Sequence, residues 1–192
     1  MCKRLLIFFS FLMAAFFLQG MSNVAYSEQP VIVKEFLGQL DFIKGRLDQL
    51  ADVMPESTYD WRPMEGVRSV GEVYLHAAAA NYICVTVSGG TVPESVGFVM
   101  DFSKMHDWDT QTTNKTEIIN KMDESFGILK DRVAEFTEDD LNREVEVFGM
   151  KMSIRNFMIT MIAHCHEHLG QSIAYARSNE VVPPWSQKSE NE

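Results

Sequence analysis

Three histidines have the spacing of a metal site. His164 and His168 stand four residues apart, so on a helix they project about 40° apart on one face. Their face also carries the apolar side chains of Phe157 and Met161, and His76 lies on a second apolar stripe earlier in the chain. All three imidazoles are expected to point inward, where a ring nitrogen without a partner costs roughly 1–3 kcal/mol. One shared metal ion would satisfy them together.

Two interpretations of this pattern are open from the spacing alone. The histidines either bind a divalent ion or are core residues that pair with one another. His166 is outside the set in both cases, because it projects roughly 200° round the helix from His164. Three imidazole ligands would leave a position on the ion for water or substrate, as in catalytic zinc sites. Nitrogen ligands suit zinc, nickel, iron or copper, with Zn, Ni or Fe favoured.

A site of this kind predicts a metal-dependent enzyme of the hydrolase or transferase type, with an unknown substrate. A bound cation lowers the pKa of its water toward about 7 or polarises a substrate atom. The alternative is a non-catalytic module that binds a metal or a small ligand. No general base is assigned, because Glu72 is used in a helix cap and Glu167 lies about 60° off the stripe of the histidines.

Hydrophobic periodicity predicts that four helices position these residues. Apolar side chains recur at three- and four-residue spacing, and Ser69, Asn114 and Ser153 are candidate caps. The predicted helices lie at about 30–54, 69–88, 114–136 and 153–179. Residues 144–152 alternate in polarity around Gly149 and predict a small β-hairpin. The predicted fold is all-α, a four-helix bundle with a long connection between the second and third helices and the hairpin before the last.

The long connection, residues 91–113, has weak periodicity and is predicted to be a loop over one end of the bundle. Loops of that length are uncommon and are often functional. Its apolar side chains Phe102, Met105 and Trp108 have two interpretations. They form either a lid over the metal site or a seal for the end of the bundle.

Residues 1–27 have the features of an export signal. Lys3 and Arg4 precede an apolar run at 5–18, and small residues favour cleavage after Ser27. The run is shorter than the ~20 residues that span a bilayer, although an uncleaved N-terminal anchor is the alternative. The expected organisation is a signal peptide at 1–27, one bundle domain at 28–180 and a tail at 181–192 that is disordered at its end. The mature protein is then expected in the periplasm or outside the cell, with no stable membrane span.

Charge and cysteine content restrict the partners and the chemistry. The chain has a formal net charge of −10, and the predicted signal carries two basic residues and no acidic one. Such an acidic chain with scattered basic residues excludes nucleic acid as an expected partner. Cys84 and Cys165 lie beyond the signal. Two buried free thiols are expected, and a disulfide beside the site is the alternative.

Several segments together resemble the DinB-like superfamily, and they span about residues 33–185. The matching segments are Tyr59-Asp60-Trp61-Arg62-Pro63, Gly66-Val67-Arg68-Ser69-Val70-Gly71-Glu72, Leu75-His76-Ala77 with Asn81-Tyr82, Ala163-His164 through His168 with Leu169-Gly170-Gln171, and Pro183-Pro184-Trp185.

The resemblance implies a helical bundle, often homodimeric, in which three histidines hold a divalent metal. Carried over by position, these ligands are His76, His164 and His168. Members are often assigned as metal-dependent hydrolases, and better-understood relatives use low-molecular-weight thiols such as bacillithiol or mycothiol in transfer or isomerisation. This chain has Leu169-Gly170 where many members have a further His or Arg.

Overall fold

Four long helices dominate the protein in the computed structural model, which describes residues 29–187. In chain order the elements are α1 (Val31–Val53), α2 (Val70–Val87), α3 (Met105–Asp109), α4 (Lys115–Ala134), α5 (Glu138–Asn142), β1 (Glu144–Val147), β2 (Met150–Ser153) and α6 (Ile154–Ser178). The predicted all-α bundle with a hairpin before its last helix is confirmed. The predicted signal peptide and residues 188–192 of the tail lie outside the described residues.

The predicted capping residues begin the long helices. Ser69 and Glu72 form a reciprocal capping box at the start of α2, in which each side chain accepts a hydrogen bond from the other residue's backbone N–H. Asn114 and Ser153 each accept a hydrogen bond from the backbone N–H three residues further on. α1 ends just before Pro55, since the residue before a proline is disfavoured in helical conformation.

Two short helices were not expected from the periodicity, because neither is long enough to show a repeat. α3 lies within the predicted loop. α5 begins at a capping box between Thr137 and Asp140, which is a signal that the sequence does contain. The antiparallel hairpin pairs Val147 with Met150 around a two-residue turn at Phe148 and Gly149.

The order of the helices around the bundle differs from their order in the chain. α1 packs against α4 and α6, and α2 packs against the same two helices. The consecutive helices α1 and α2 therefore occupy opposite corners, and long connections cross the ends of the bundle. Apolar side chains from all four helices form one core, which includes Leu40, Leu47, Leu75, Phe126 and Phe157. For the site, the consequence is that α2 lies beside α6.

The segment 91–113 covers the outer side of α2 instead of only one end of the bundle. α2 is buried on nearly all of its faces, so a helix with this composition needs cover on the side away from the core. The cover is a second apolar cluster in which Trp108 packs with Ala79, Tyr82 and Val96. The indole N–H of Trp108 donates to the backbone oxygen of Leu75 at 3.1 Å.

Three further features concern the segment after α6, the two cysteines and the hydropathy of the helices. The segment after α6 folds back on α1, where the guanidinium of Arg46 lies 4.2 Å from the centre of the Trp185 ring. Cys84 and Cys165 are buried free thiols, and burial raises the pKa of each to about 12. Between residues 29 and 187, no helix is both long and apolar enough to cross a membrane.

Candidate metal centre

Neighbouring helices bring three histidines together at the edge of the bundle core. α2 supplies His76, and α6 supplies His164 and His168 from successive turns of one face. The ring centroid of His76 lies 5.4 Å from that of His164 and 4.8 Å from that of His168. The centroids of the two rings on α6 are 4.4 Å apart. One nitrogen from each ring lies within 4.8 Å of the other two.

The surroundings of His168 test whether a metal ion fits this cluster. Its side chain is only 6% exposed, and its Nε2 atom is buried without a hydrogen-bond partner among residues 29–187. A buried ring nitrogen without a partner costs roughly 1–3 kcal/mol. Two other imidazoles lie beside this ring, and a shared cation accepts lone pairs from all three rings. The donor set therefore fits a divalent ion.

Two acceptor oxygens determine how the rings are turned. Nδ1 of His76 lies 3.1 Å from Oδ2 of Asp109, and Nδ1 of His168 lies 3.0 Å from Oε1 of Gln171. Because a carboxylate and an amide oxygen only accept, both Nδ1 atoms carry the proton and both Nε2 atoms carry the lone pair. Oxygen partners of this kind orient metal-binding histidines and raise their basicity.

Arg68 connects the two orienting residues. Its Nε donates to Oδ2 of Asp109 at 2.8 Å. Its backbone oxygen accepts a hydrogen bond from the Tyr175 hydroxyl at 3.0 Å, and that hydroxyl accepts one from Nε2 of Gln171 at 2.9 Å. The ring of Trp61 packs edge-on against Tyr175. The connector between α1 and α2 thus supports both rings through one continuous network.

The electrostatic environment keeps the two imidazoles of α6 neutral. Burial, together with the neighbouring His168, His76 and Arg68, lowers the pKa of His164 to about 4. Burial also lowers the pKa of His168, against the opposing effect of its hydrogen bond to Gln171. Both rings are therefore uncharged at neutral pH, which is the form that binds metal ions.

Two cavities flank the cluster. The first, about 480 Å³, is polar and lies against the orienting network; its lining includes Arg62, Arg68, Glu72, His106, Asp109 and Gln171. The second, about 290 Å³, is apolar and reaches the imidazoles themselves, since His76 and His164 form part of its wall. The cavity that borders the imidazoles directly is therefore the apolar one.

The other residues considered from the sequence lie outside the cluster. Nε2 of His166 lies 3.1 Å from Oε1 of Gln39, and its ring packs near Phe42. Glu72 serves the helix cap and also accepts from Arg62 at 2.7 Å. Glu167 is exposed.

The structure places the apolar residues of the 91–113 segment at two different sites. Phe102 and Met105 line the apolar cavity beside the histidines. Trp108 is 8% exposed and packs into the cluster on the outer side of α2. It therefore seals the bundle, because its ring fills the gap left by the small residue Ala79.

Sequence reasoning missed three residues of the site. Asp109 lies in a segment without periodicity, 33 positions from His76. Gln171 was named only within a segment that resembles the DinB-like superfamily, without a role. Phe148, in the hairpin turn, lines the apolar cavity. Only the position of Gln171, three residues after His168, could have indicated its contact.

Comparison with solved structures supports the fold. A DinB-like protein from Bacillus cereus ATCC 10987 superposes with a TM-score of 0.66 at 19% sequence identity, over 81% of this chain and 97% of that chain. A DinB-like protein from Bacillus subtilis, YjoA, gives 0.60 at 18% identity, over 81% and 99%. YfiT from Bacillus subtilis gives 0.58 at 14% identity, over 78% and 89%.

YfiT is described as a probable metal-dependent hydrolase with an unusual four-helix bundle topology. No curated protein matches the chain. The family model of the DinB superfamily matches residues 39–172, which include all three clustered histidines and most of the four long helices. This chain is a member of the DinB superfamily.

Proposed function

We propose that the protein binds one divalent metal ion through His76, His164 and His168. The observation that carries the proposal is the buried, unpartnered Nε2 atom of His168 beside two other imidazoles. Asp109 and Gln171 support it, because they hold the protons on the Nδ1 atoms of two of the rings. Zinc, nickel and iron suit this all-nitrogen donor set.

We further propose that the site is that of a hydrolase or a transferase. A divalent ion bound there would polarise a substrate atom or lower the pKa of a bound water. The residues of the chain contribute orientation and an apolar environment: Asp109 and Gln171 fix the rings, Arg68 balances the charge of Asp109, and an apolar cavity borders the imidazoles. The description of YfiT as a probable metal-dependent hydrolase supports this reaction class.

Removal and return of the metal test the function. We expect the purified protein to contain one divalent ion per chain and to turn over a compound in a panel of esters, amides and thiol conjugates. Chelation should abolish that turnover, and addition of the same ion should restore it. A protein that holds the ion and turns over nothing in the panel would instead be a non-catalytic binding module.

We also propose export with cleavage after Ser27, on the strength of the basic and apolar segments of residues 1–27. The protein recovered from the periplasm or the medium should begin at Glu28 on N-terminal sequencing. Full-length protein in the cytoplasmic fraction would contradict this proposal, and it would favour the cytosolic thiols as reaction partners.

A further inference from the structure

The apolar cavity beside His76 and His164 has the composition of a pocket for a hydrocarbon group. Six apolar side chains line it: Ala80, Ile83, Phe102, Met105, Phe148 and Met161. Thr160 completes the lining, but its hydroxyl donates to the backbone oxygen of Asn156 in its own helix. The cavity therefore presents no free hydroxyl donor to a ligand.

Charge and size define what the cavity accepts. Apart from the two histidines, no ionisable side chain lines it among the described residues. A charged ligand group would lose its hydration there without gaining a partner. A dry apolar cavity of about 150 Å³ accommodates benzene, so the 290 Å³ of this cavity has room for a group between phenyl and naphthyl in size.

The hairpin turn places the aromatic ring of Phe148 at this cavity, although the backbone conformation there disfavours a bulky residue. Phe148 has φ of 55° and Gly149 has φ of 73°, as a two-residue turn with both φ values positive requires. The first position of such a turn favours Asn, Asp or Gly, and a bulky residue there is a conformational outlier. Phe148 is also 56% exposed, so burial in the core does not explain its presence.

The ring of Phe148 contacts a second exposed aromatic ring, which comes from a different part of the chain. Phe102, in the segment that covers α2, is 49% exposed, and its ring centroid lies 5.1 Å from that of Phe148. Both rings line the cavity. Two half-exposed phenylalanines from separate elements thus form one wall of the cavity that contains the imidazoles.

We propose that this cavity binds a neutral apolar group of the substrate, of phenyl to naphthyl size, and that Phe102 and Phe148 together form the wall on which this group packs beside the metal ion. The inference rests on the proposed metal site and adds the substrate class. The reacting group lies toward the histidines and the hydrocarbon group lies against the wall that the two rings form. Substrates with a carboxylate or a sugar on that side are excluded.

Hydroxamates with different tails test the inference by affinity, without any need for turnover. The protein is brought to one Zn²⁺ per chain, and acetohydroxamate and benzohydroxamate are titrated by calorimetry. The two share one chelating head, whereas the phenyl ring buries roughly 80–100 Å² more apolar surface. We therefore expect benzohydroxamate to bind on the order of 30-fold more tightly. A 4-carboxylate on its ring should remove that gain.

Substitutions of Phe148 and Phe102 show where the phenyl group of the hydroxamate binds. Phe148→Asn suits the turn better, so its melting temperature should hold or rise, while its affinity for benzohydroxamate should fall about fivefold through lost contact area. Phe102→Ala should weaken the same ligand by a similar factor. Neither change should affect acetohydroxamate. Phe42→Ala is the matched control, since Phe42 is 50% exposed and does not line the cavity.

Each outcome separates the inference from the proposed function. Equal affinity for the two hydroxamates would overturn the apolar pocket while the metal site stands. Full affinity for benzohydroxamate in Phe148→Asn and Phe102→Ala would overturn the role of the two rings. Tight binding of the 4-carboxylate would overturn the requirement for a neutral group. A protein that retains no Zn²⁺ and binds neither compound would overturn the metal site and the inference together.

Discussion

Replacement of His164 by alanine should remove the metal ion from the protein. The change deletes one of three ligands and leaves the other two on different helices. A structural zinc site with four ligands has a binding free energy of about 10–16 kcal/mol, so one ligand contributes roughly 2.5–4 kcal/mol, or on the order of 100- to 1,000-fold in affinity. Metal analysis after gel filtration should give one ion per chain for the wild type and a small fraction of that for His164→Ala.

The matched control is His166→Ala, two residues along the same helix. The His166 side chain lies beside Gln39 and Phe42 and makes no contact with the cluster of His76, His164 and His168. This variant should keep the full metal content. Metal-free forms of both variants should melt near the metal-free wild type, because neither ring is a core residue of the bundle. Equal metal content in wild type and His164→Ala would refute the assignment of the ligands.

The sequence predicted which histidines come together because helical periodicity translates spacing into direction. His164 and His168 lie four residues apart on an apolar stripe, and His166 between them projects elsewhere, as the structure shows. The helices and their caps were predictable for the same reason: a capping residue acts on the backbone within three residues of itself. Local rules of this kind need no knowledge of the rest of the chain.

The arrangement of the helices and the residues around the histidines were not predictable in that way. The diagonal placement of α1 and α2 depends on how complete helix surfaces fit together. Asp109 reaches His76 only because the segment 91–113 packs along α2. That packing depends on the contact of Trp108 with the cluster that contains Ala79. In an irregular segment no period distinguishes a buried aromatic from a lid residue, so Trp108 and Phe102 were interpreted alike.

The carboxylate that sequence analysis missed should have a large effect on metal affinity. Asp109 is 3% exposed, and one oxygen receives hydrogen bonds from both Nδ1 of His76 and Nε of Arg68. Asp109→Asn keeps the size of the side chain but removes its charge. The His76 ring then becomes a weaker donor to the ion, and loss of such an orienting carboxylate typically lowers metal affinity about 10–100-fold.

Competition with a chromogenic chelator would measure this loss. Asp107→Asn, an exposed aspartate in the same short helix α3, should leave the affinity unchanged. Asp109→Ala should lower both metal affinity and the stability of the metal-free protein, because it leaves the Arg68 guanidinium and the His76 N–H without their acceptor. If Asp109→Asn binds the ion within twofold of the wild type, Asp109 serves only to hold Arg68. In that case His76 owes its orientation to packing alone, and the network through Tyr175 and Gln171 would act on His168 and not on the whole cluster.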